Sequence, residues 1–149
     1  MEKLINVKSG FYVLVGIAGG VVGNMLGGLD QLLKALLFTM IADYLTGLSV
    51  ALIFKNSTKT ETGAAQSKAG FIGIIKKAFI LVIVAVVYQV DIVLGVNGFF
   101  RNAALIGFMV NEVLSIVENA GLMGIKLPPA VTNAIDILKK KSEENQEIK

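Results

Sequence analysis

Four long apolar runs, separated by short polar breaks, occupy most of this chain. They lie at about 11–29, 32–54, 77–96 and 99–120. A helix needs roughly 20 residues to cross a hydrocarbon core about 30 Å thick, and backbone in lipid must satisfy its own N–H and C=O groups. The pattern therefore predicts an all-α integral membrane protein with about four transmembrane helices.

The polar breaks divide the chain into a membrane domain, an amphipathic helix and a tail. Residues 1–125 hold the four runs, with Asn97–Gly98 as a turn between the last two. After Pro128–Pro129, apolar positions recur at helical spacing, which predicts a cytoplasmic amphipathic helix over 126–141. Residues 142–149 are charged, and we expect them to form a disordered tail.

The first run is unusually rich in glycine, and this leaves its role open. The glycines form two rows at four-residue spacing, a pattern that lets helix backbones approach closely in lipid. The rows predict either self-association or packing against the second run. A run of this composition also fits a re-entrant or interfacial N-terminal helix, which would leave three spans. The glycines proposed for helix packing and oligomerisation are Gly16, Gly19, Gly20, Gly23 and Gly27.

Basic residues cluster in the middle loop and in the tail, and this clustering predicts the orientation. Loops rich in Lys and Arg remain on the cytoplasmic side of a membrane. With four spans, both termini are then cytoplasmic, and the protein is a multi-pass membrane protein. The cytoplasmic basic residues are Lys68, Lys76 and Lys77 in the loop, and Lys139, Lys140 and Lys141 in the tail.

Acidic residues occur inside the apolar runs, where a charge at the centre of a span costs about 2.5–3.5 kcal/mol on insertion scales. They predict either a water-lined assembly or hydrogen bonds between helices in a static bundle. One stripe of the fourth run carries Ala104, Gly107, Asn111, Ser115 and Glu118, which makes this run the best candidate to line a pore. The polar intramembrane and pore-lining candidates are Thr39, Asp43, Thr46, Tyr88, Asp91, Asn111, Glu112, Ser115 and Glu118.

The composition argues against an enzyme. The chain has no cysteine and no histidine, which removes the thiol nucleophile, the commonest general base and the commonest metal ligand. No catalytic residue, metal site or cofactor is predicted, and the basic balance is better explained by membrane-flanking loops than by nucleic acid. Asp91 and Arg101 flank the Asn97–Gly98 turn, so an ion pair between them is plausible.

Several ordered motifs resemble one known family. They are "ADYLTGL" at 42–48, "SKAGFIGIIKKAFIL" at 67–81, "YQVD" at 88–91 and "NEVLSIVENAGLMGIKLP" at 111–128. In this order and at this spacing they resemble the toxin-secretion/phage-lysis holins, over about 32–141. The glycine-rich first run lies outside the resemblance.

The resemblance implies a phage holin: a homo-oligomer that permeabilises the cytoplasmic membrane so that an endolysin, or in some relatives a toxin, can cross and the host is lysed. Its expected partners are further copies of itself, membrane lipids, an endolysin and an antiholin. Two other functions stay open from the residues themselves. One is a small proton-coupled multidrug-type transporter, and the other is an antiholin or membrane scaffold that binds a partner without opening.

Overall fold

Long helices account for most of the chain. The computed structural model describes residues 2–134 and 136–137, and the side chains of residues 9–134, 136 and 137. The helices are listed in chain order: α1 (Glu2–Met25), α2 (Gln31–Ser49) continued by a π-helix (Val50–Phe54), α3 (Ser67–Leu94) and α4 (Phe99–Leu122). The predicted all-α fold is thereby confirmed.

Among the described residues, three helical segments have the length and apolar content needed to cross a membrane. They are Gln31–Phe54, Ser67–Leu94 and Phe99–Leu122, with 24, 28 and 24 residues. At about 1.5 Å per residue, each exceeds the thickness of a hydrocarbon core. The apolar part of α1 is the shorter segment Ser9–Met25. The part of the chain that the structure describes thus contains three long apolar helices and a shorter apolar N-terminal helix.

Two glycines end α1, because the backbone there turns into a left-handed conformation. The φ angles of Gly27 and Gly28 are 82° and 93°. The N–H of Gly28 donates to the carbonyl of Gly23 at 2.8 Å, as in a Schellman cap. Side chains with a Cβ rarely adopt these angles, so glycine is required at both positions.

The third helix begins earlier than the third apolar run. The sequence predicts a polar break over 55–76, whereas α3 begins at Ser67. Apolar residues already recur in the stretch 71–75, so the helix can start before the lysine pair at 76–77. At its other end, Asn97 and Gly98 have φ angles of 50° and 78°, which confirms the predicted turn before α4.

Beyond α4, residues 129–134 and 136–137 are helical, and the described side chains there are exposed. This is the first part of the stretch predicted as an amphipathic helix. Ile135 and Leu138 of that prediction lie outside the described residues, as do Lys139, Lys140, Lys141 and the tail over 142–149.

The packing divides the chain into two compact units. The first comprises the chain up to Phe38 together with Ile75–Met109, and its core contains Leu26, Leu33, Leu36, Val84 and Leu105. The second comprises Thr39–Ile74 and the chain from Val110 onward, and its core contains Met40, Val50 and Ala51. Both cores are small, and most large apolar side chains are exposed, as expected where lipid is the solvent.

Candidate functional site

In the first unit, the chain's single arginine forms a buried hydrogen-bonded cluster. Arg101 lies in the first turn of α4 and is 3% exposed. Its Nε donates to the carbonyl of Leu26 at 2.5 Å, and its Nη2 donates to the carbonyl of Gly28 at 3.1 Å. Both carbonyls lie at the end of α1, where a cation also complements the helix dipole.

The same guanidinium forms an ion pair with the start of α2. Nη1 of Arg101 lies 2.6 Å from Oδ2 of Asp30 and 3.1 Å from Oδ1 of Asn102. The Tyr88 ring lies beside it, with its centroid 5.9 Å from Cζ of Arg101. One planar side chain therefore binds groups from the end of α1 and the start of α2, which only the forked geometry of arginine allows.

Asp30 has two roles in this cluster. Its Oδ1 accepts a hydrogen bond from the N–H of Leu33 at 2.9 Å, so it is the N-cap of α2. The hydrogen bond from Arg101 holds the pKa of the Asp30 carboxyl below its ordinary value, with a smaller contribution from the N–H of Leu33. The Asp30 side chain is 46% exposed, so solvent weakens the ion pair.

Asp91 caps α4 from the preceding helix. Its carboxylate accepts hydrogen bonds from the N–H of Phe100 at 2.9 Å and of Arg101 at 2.7 Å, and the residue is 1% exposed. The sequence suggests an ion pair between Asp91 and Arg101 across the turn. In the structure Asp91 instead binds the backbone of Arg101, whose guanidinium pairs with Asp30, because the side chain points toward the end of α1.

We name these residues, Asp30, Tyr88, Asp91 and Arg101, the arginine cluster. A cleft of about 450 Å³ opens beside it, and Asn97 is part of its wall. Residues of the turn that joins α3 to α4, Gly95 and Gly98, also line the cleft. The predicted candidates Tyr88 and Asp91 therefore belong to one polar cluster.

The second unit holds another polar cluster, which we name the asparagine cluster: Asp43, Thr46 and Asn119. Nδ2 of Asn119 lies 3.2 Å from Oδ1 of Asp43 and 3.0 Å from Oγ1 of Thr46. Asn119 is 5% exposed, and a Cβ at Gly47 would lie 3.5 Å from its Nδ2. An added Cβ at that position would thus be in ordinary contact with α4, and the amide satisfies polar groups that would otherwise face an apolar surrounding.

Two different faces of α4 carry its polar side chains. Arg101, Leu105, Glu112 and Asn119 are buried and lie at spacings of four and seven residues. Asn111 lies on the neighbouring face and is exposed. The predicted pore-lining stripe through Asn111 is therefore distinct from the buried stripe, and its lining of a pore stays a prediction.

The remaining predicted residues vary in exposure. The partly buried ones are Thr39, Ser115 and Lys77. The exposed ones are Glu118, Lys68 and Lys76. Of the predicted packing glycines, Gly23 is buried, and Gly27 lies against Arg101. A Cβ placed on Gly16, Gly19 or Gly20 would meet no atom within 4 Å.

Three residues of the two clusters were not among the predicted candidates: Asp30, Arg101 and Asn119. Arg101 is considered in the sequence only as a partner of Asp91, although it is the chain's single arginine and lies beside an apolar run. Asn119 lies seven residues after Glu112, so a second stripe on α4 was visible in the sequence. Asp30 directly precedes α2, which is the usual place of an N-cap.

These features together define a small all-helical membrane protein in which several intramembrane polar side chains are bound in clusters between helices. The chain belongs to the bacteriophage holin family, whose family model matches residues 20–140. That match covers the arginine cluster and the asparagine cluster, and it begins within α1.

Relatives are found in bacteria and in a phage. An uncharacterized protein of Listeria monocytogenes is 37% identical over 87% of this chain and 86% of its own length. An uncharacterized protein of Clostridium perfringens is 32% identical over 95% of this chain and 99% of its own. A probable holin of Bacillus phage phi105 is 26% identical over 77% of this chain and 79% of its own. No solved structure matches the chain.

Proposed function

We propose that this protein acts as a holin: copies of the chain oligomerise in the bacterial cytoplasmic membrane and permeabilise it. An endolysin or a toxin then crosses, and with an endolysin the host is lysed. The family match and the phi105 relative support a holin role. A holin acts by assembly and not by catalysis, which agrees with a chain that lacks cysteine and histidine.

The observation that carries the proposal is the exposed polar face of α4. Asn111 lies in the middle of a 24-residue apolar helix, and its side chain is exposed. An amide facing hydrocarbon is unfavourable, whereas it is stabilised by a hydrogen bond to another helix or by water. Gly107 lies one turn earlier on the same face, and no atom lies within 4 Å of a Cβ placed there. This face therefore suits contact with a second copy, or the wall of an aqueous hole.

The proposed orientation follows the basic residues. Lys68 and Lys76 are exposed at the start of α3, where they would remain on the cytoplasmic side. With α1 as a fourth span, both termini would be cytoplasmic. The turns at 30 and at 97–98, which adjoin the arginine cluster, would then face the outer surface of the membrane.

The test is inducible expression in a bacterium with and without a co-expressed cytoplasmic endolysin, following optical density and membrane potential. We expect abrupt depolarisation, and lysis when endolysin is present. Depolarisation without lysis would indicate a hole too small for an enzyme. Normal growth with an intact potential would contradict the proposal and favour an antiholin or a transporter. Protection against another holin would then indicate an antiholin, and resistance to cationic dyes would indicate a transporter.

A matched pair of variants tests the role of the α4 face. Asn111→Leu removes the amide from the proposed contact, and we expect it to delay depolarisation several-fold or to abolish it. Gln89→Leu removes an exposed amide from α3, and we expect depolarisation to begin at about the same time as in the parent. Equal timing in the parent and both variants, at equal membrane levels, would contradict a role for this face.

A further inference from the structure

The body of α1 is exposed along its length, whereas its last turn is held. All described side chains from Ser9 to Val22 are exposed, and only Gly23 and Leu26 near the helix end are buried. Leu26 packs in the core of the first unit at 5% exposure. Within this unit, the described part of α1 is therefore attached at its C-terminal end.

Arg101 supplies the polar part of that attachment. It binds the carbonyls of Leu26 and Gly28, which follow the last residue of α1, and it binds Asp30 two residues further on. Carbonyls at a helix end lack intrahelical donors, so a buried guanidinium stabilises them strongly. The short segment between α1 and α2 is thus bound at three points by one side chain.

That segment is also where the backbone can turn most freely. Gly27 and Gly28 both have φ angles in the left-handed region, and glycine has more accessible backbone conformations than any other residue. Gly27 lies directly against the bound arginine: a Cβ there would be 2.7 Å from Nε of Arg101 and 3.0 Å from Cδ2 of Tyr88. A flexible joint is therefore immobilised by the side chain packed on it.

We propose that Arg101 is a latch that fixes the orientation of α1 about the Gly27–Gly28 joint. With the latch closed, α1 is held in the orientation of this structure. With the latch open, α1 keeps the packing of Leu26 but loses the polar bonds that fix its direction, and it takes other orientations about the two glycines. Arg101 is thus a positioning residue for α1.

Loss of the Arg101 side chain should release α1 and leave the N-terminal cap of α4 intact. Asp91 binds the backbone N–H of Arg101, so Arg101→Ala leaves the cap of α4 in place. Asp30, the other charged partner, is half-exposed, so loss of the guanidinium leaves it in contact with solvent. Opening the latch therefore affects α1 without exposing an uncompensated buried charge at Asp30.

The absence of cysteine allows a direct test in the full chain. Val15→Cys reports on α1, Ile106→Cys reports on α4, and both positions are exposed. Each single-cysteine protein is placed in membranes, and its rate of labelling by a membrane-impermeant maleimide is measured. Gly27→Ala and Arg101→Ala should each change the labelling rate at position 15 several-fold and leave the rate at position 106 unchanged.

Gly124→Ala is the matched control, because Gly124 has a similar φ angle of 77°, no atom lies within 4 Å of an added Cβ, and it lies outside the joint. It strains the backbone without displacing Arg101, and labelling at position 15 should stay close to that of the parent. Arg101→Lys keeps the charge but cannot bind the two carbonyls and Asp30 together, so it should give an intermediate rate.

Three outcomes would overturn the latch. The rate at position 15 could be unchanged in both Gly27→Ala and Arg101→Ala. The rate at position 106 could change equally, which would make Arg101 a general brace of the fold. Gly124→Ala could match Gly27→Ala, which would assign the effect to backbone strain. Labelling is measured in membrane fragments that expose both faces to the reagent, so the rates do not depend on its passage through a hole. A failure of the proposed holin function is separately visible in the membrane potential of intact cells.

Discussion

Removal of the Asp91 carboxylate should destabilise the protein more than removal of any exposed acid. Asp91 is 1% exposed, and its two oxygens accept hydrogen bonds from the N–H groups of Phe100 and Arg101, in the first turn of α4. The first N–H groups of a helix have no intrahelical acceptor. Asp91→Ala therefore leaves two donors without the acceptor that binds them in this structure.

The expected size follows from those two bonds. Loss of a helix cap costs about 1 kcal/mol, and a buried donor left unsatisfied costs about 1–3 kcal/mol. The N–H of Arg101 is buried and that of Phe100 is partly buried, so Asp91→Ala should lower the free energy of unfolding by about 2–4 kcal/mol. Asp91→Asn keeps one acceptor oxygen in nearly the same shape, and its loss should be about half as large.

The assay is equilibrium unfolding of the purified chain in mild detergent, titrated with SDS and followed by helical circular dichroism. Glu61→Ala is the control, because Glu61 is exposed in the loop before α3. It should stay within about 0.5 kcal/mol of the parent, as most surface substitutions do. An Asp91→Ala protein that is equally close to the parent would refute the capping role of this carboxylate.

Three further outcomes are expected in the same assay. Asn119→Ala removes the amide that donates to Asp43 and should lower the free energy of unfolding by about 1–3 kcal/mol, whereas no change would contradict the asparagine cluster. Leu33→Ala, at a fully buried position, should cost about 2–5 kcal/mol, and Leu29→Ala, at an exposed one, much less. The pKa of Asp30 is lowered by its arginine partner, so its stabilising contribution is present above the ordinary value of about 3.9 and is lost as the pH falls through the lowered value. Unfolding measured from neutral pH into the acid range should show a small loss there that added salt reduces, and a larger stability in acid would contradict that sign.

The helices could be predicted from hydropathy because lipid imposes a simple rule on the backbone. The run predicted at 99–120 corresponds to α4 at Phe99–Leu122, and the run at 32–54 corresponds to α2 with its π-helical continuation to Phe54. The span predicted at 77–96 begins ten residues after the first residue of α3, because the lysines at 76–77 mark the edge of the apolar run and not the start of the helix. A helix can extend beyond the apolar span, so polar residues mark the edge of a span more reliably than the end of a helix.

The polar clusters were harder to predict, because their contacts are distant in sequence. Arg101 binds Asp30 across 71 residues, and Asn119 binds Asp43 across 76. Helical periodicity gives the faces of a helix, but it does not say which face packs inward. On α4 the sequence indicates the polar stripe through Asn111, whereas the stripe through Asn119 is the buried one. The buried stripe is less visible in the sequence as a polar face, because it alternates polar groups with Leu105.

The buried clusters also change what the intramembrane acids imply. Asp91 is bound by two N–H groups, and Asp43 by the amide of Asn119, within a single chain. Acids that are satisfied in this way do not need a water-filled hole to be tolerated in a span. Asn111 differs, because its amide is exposed on an apolar helix beside the open surface of Gly107. Assembly of several chains is therefore expected to form through this face of α4, and Asn111→Leu should slow hole formation while the acids continue to stabilise each chain.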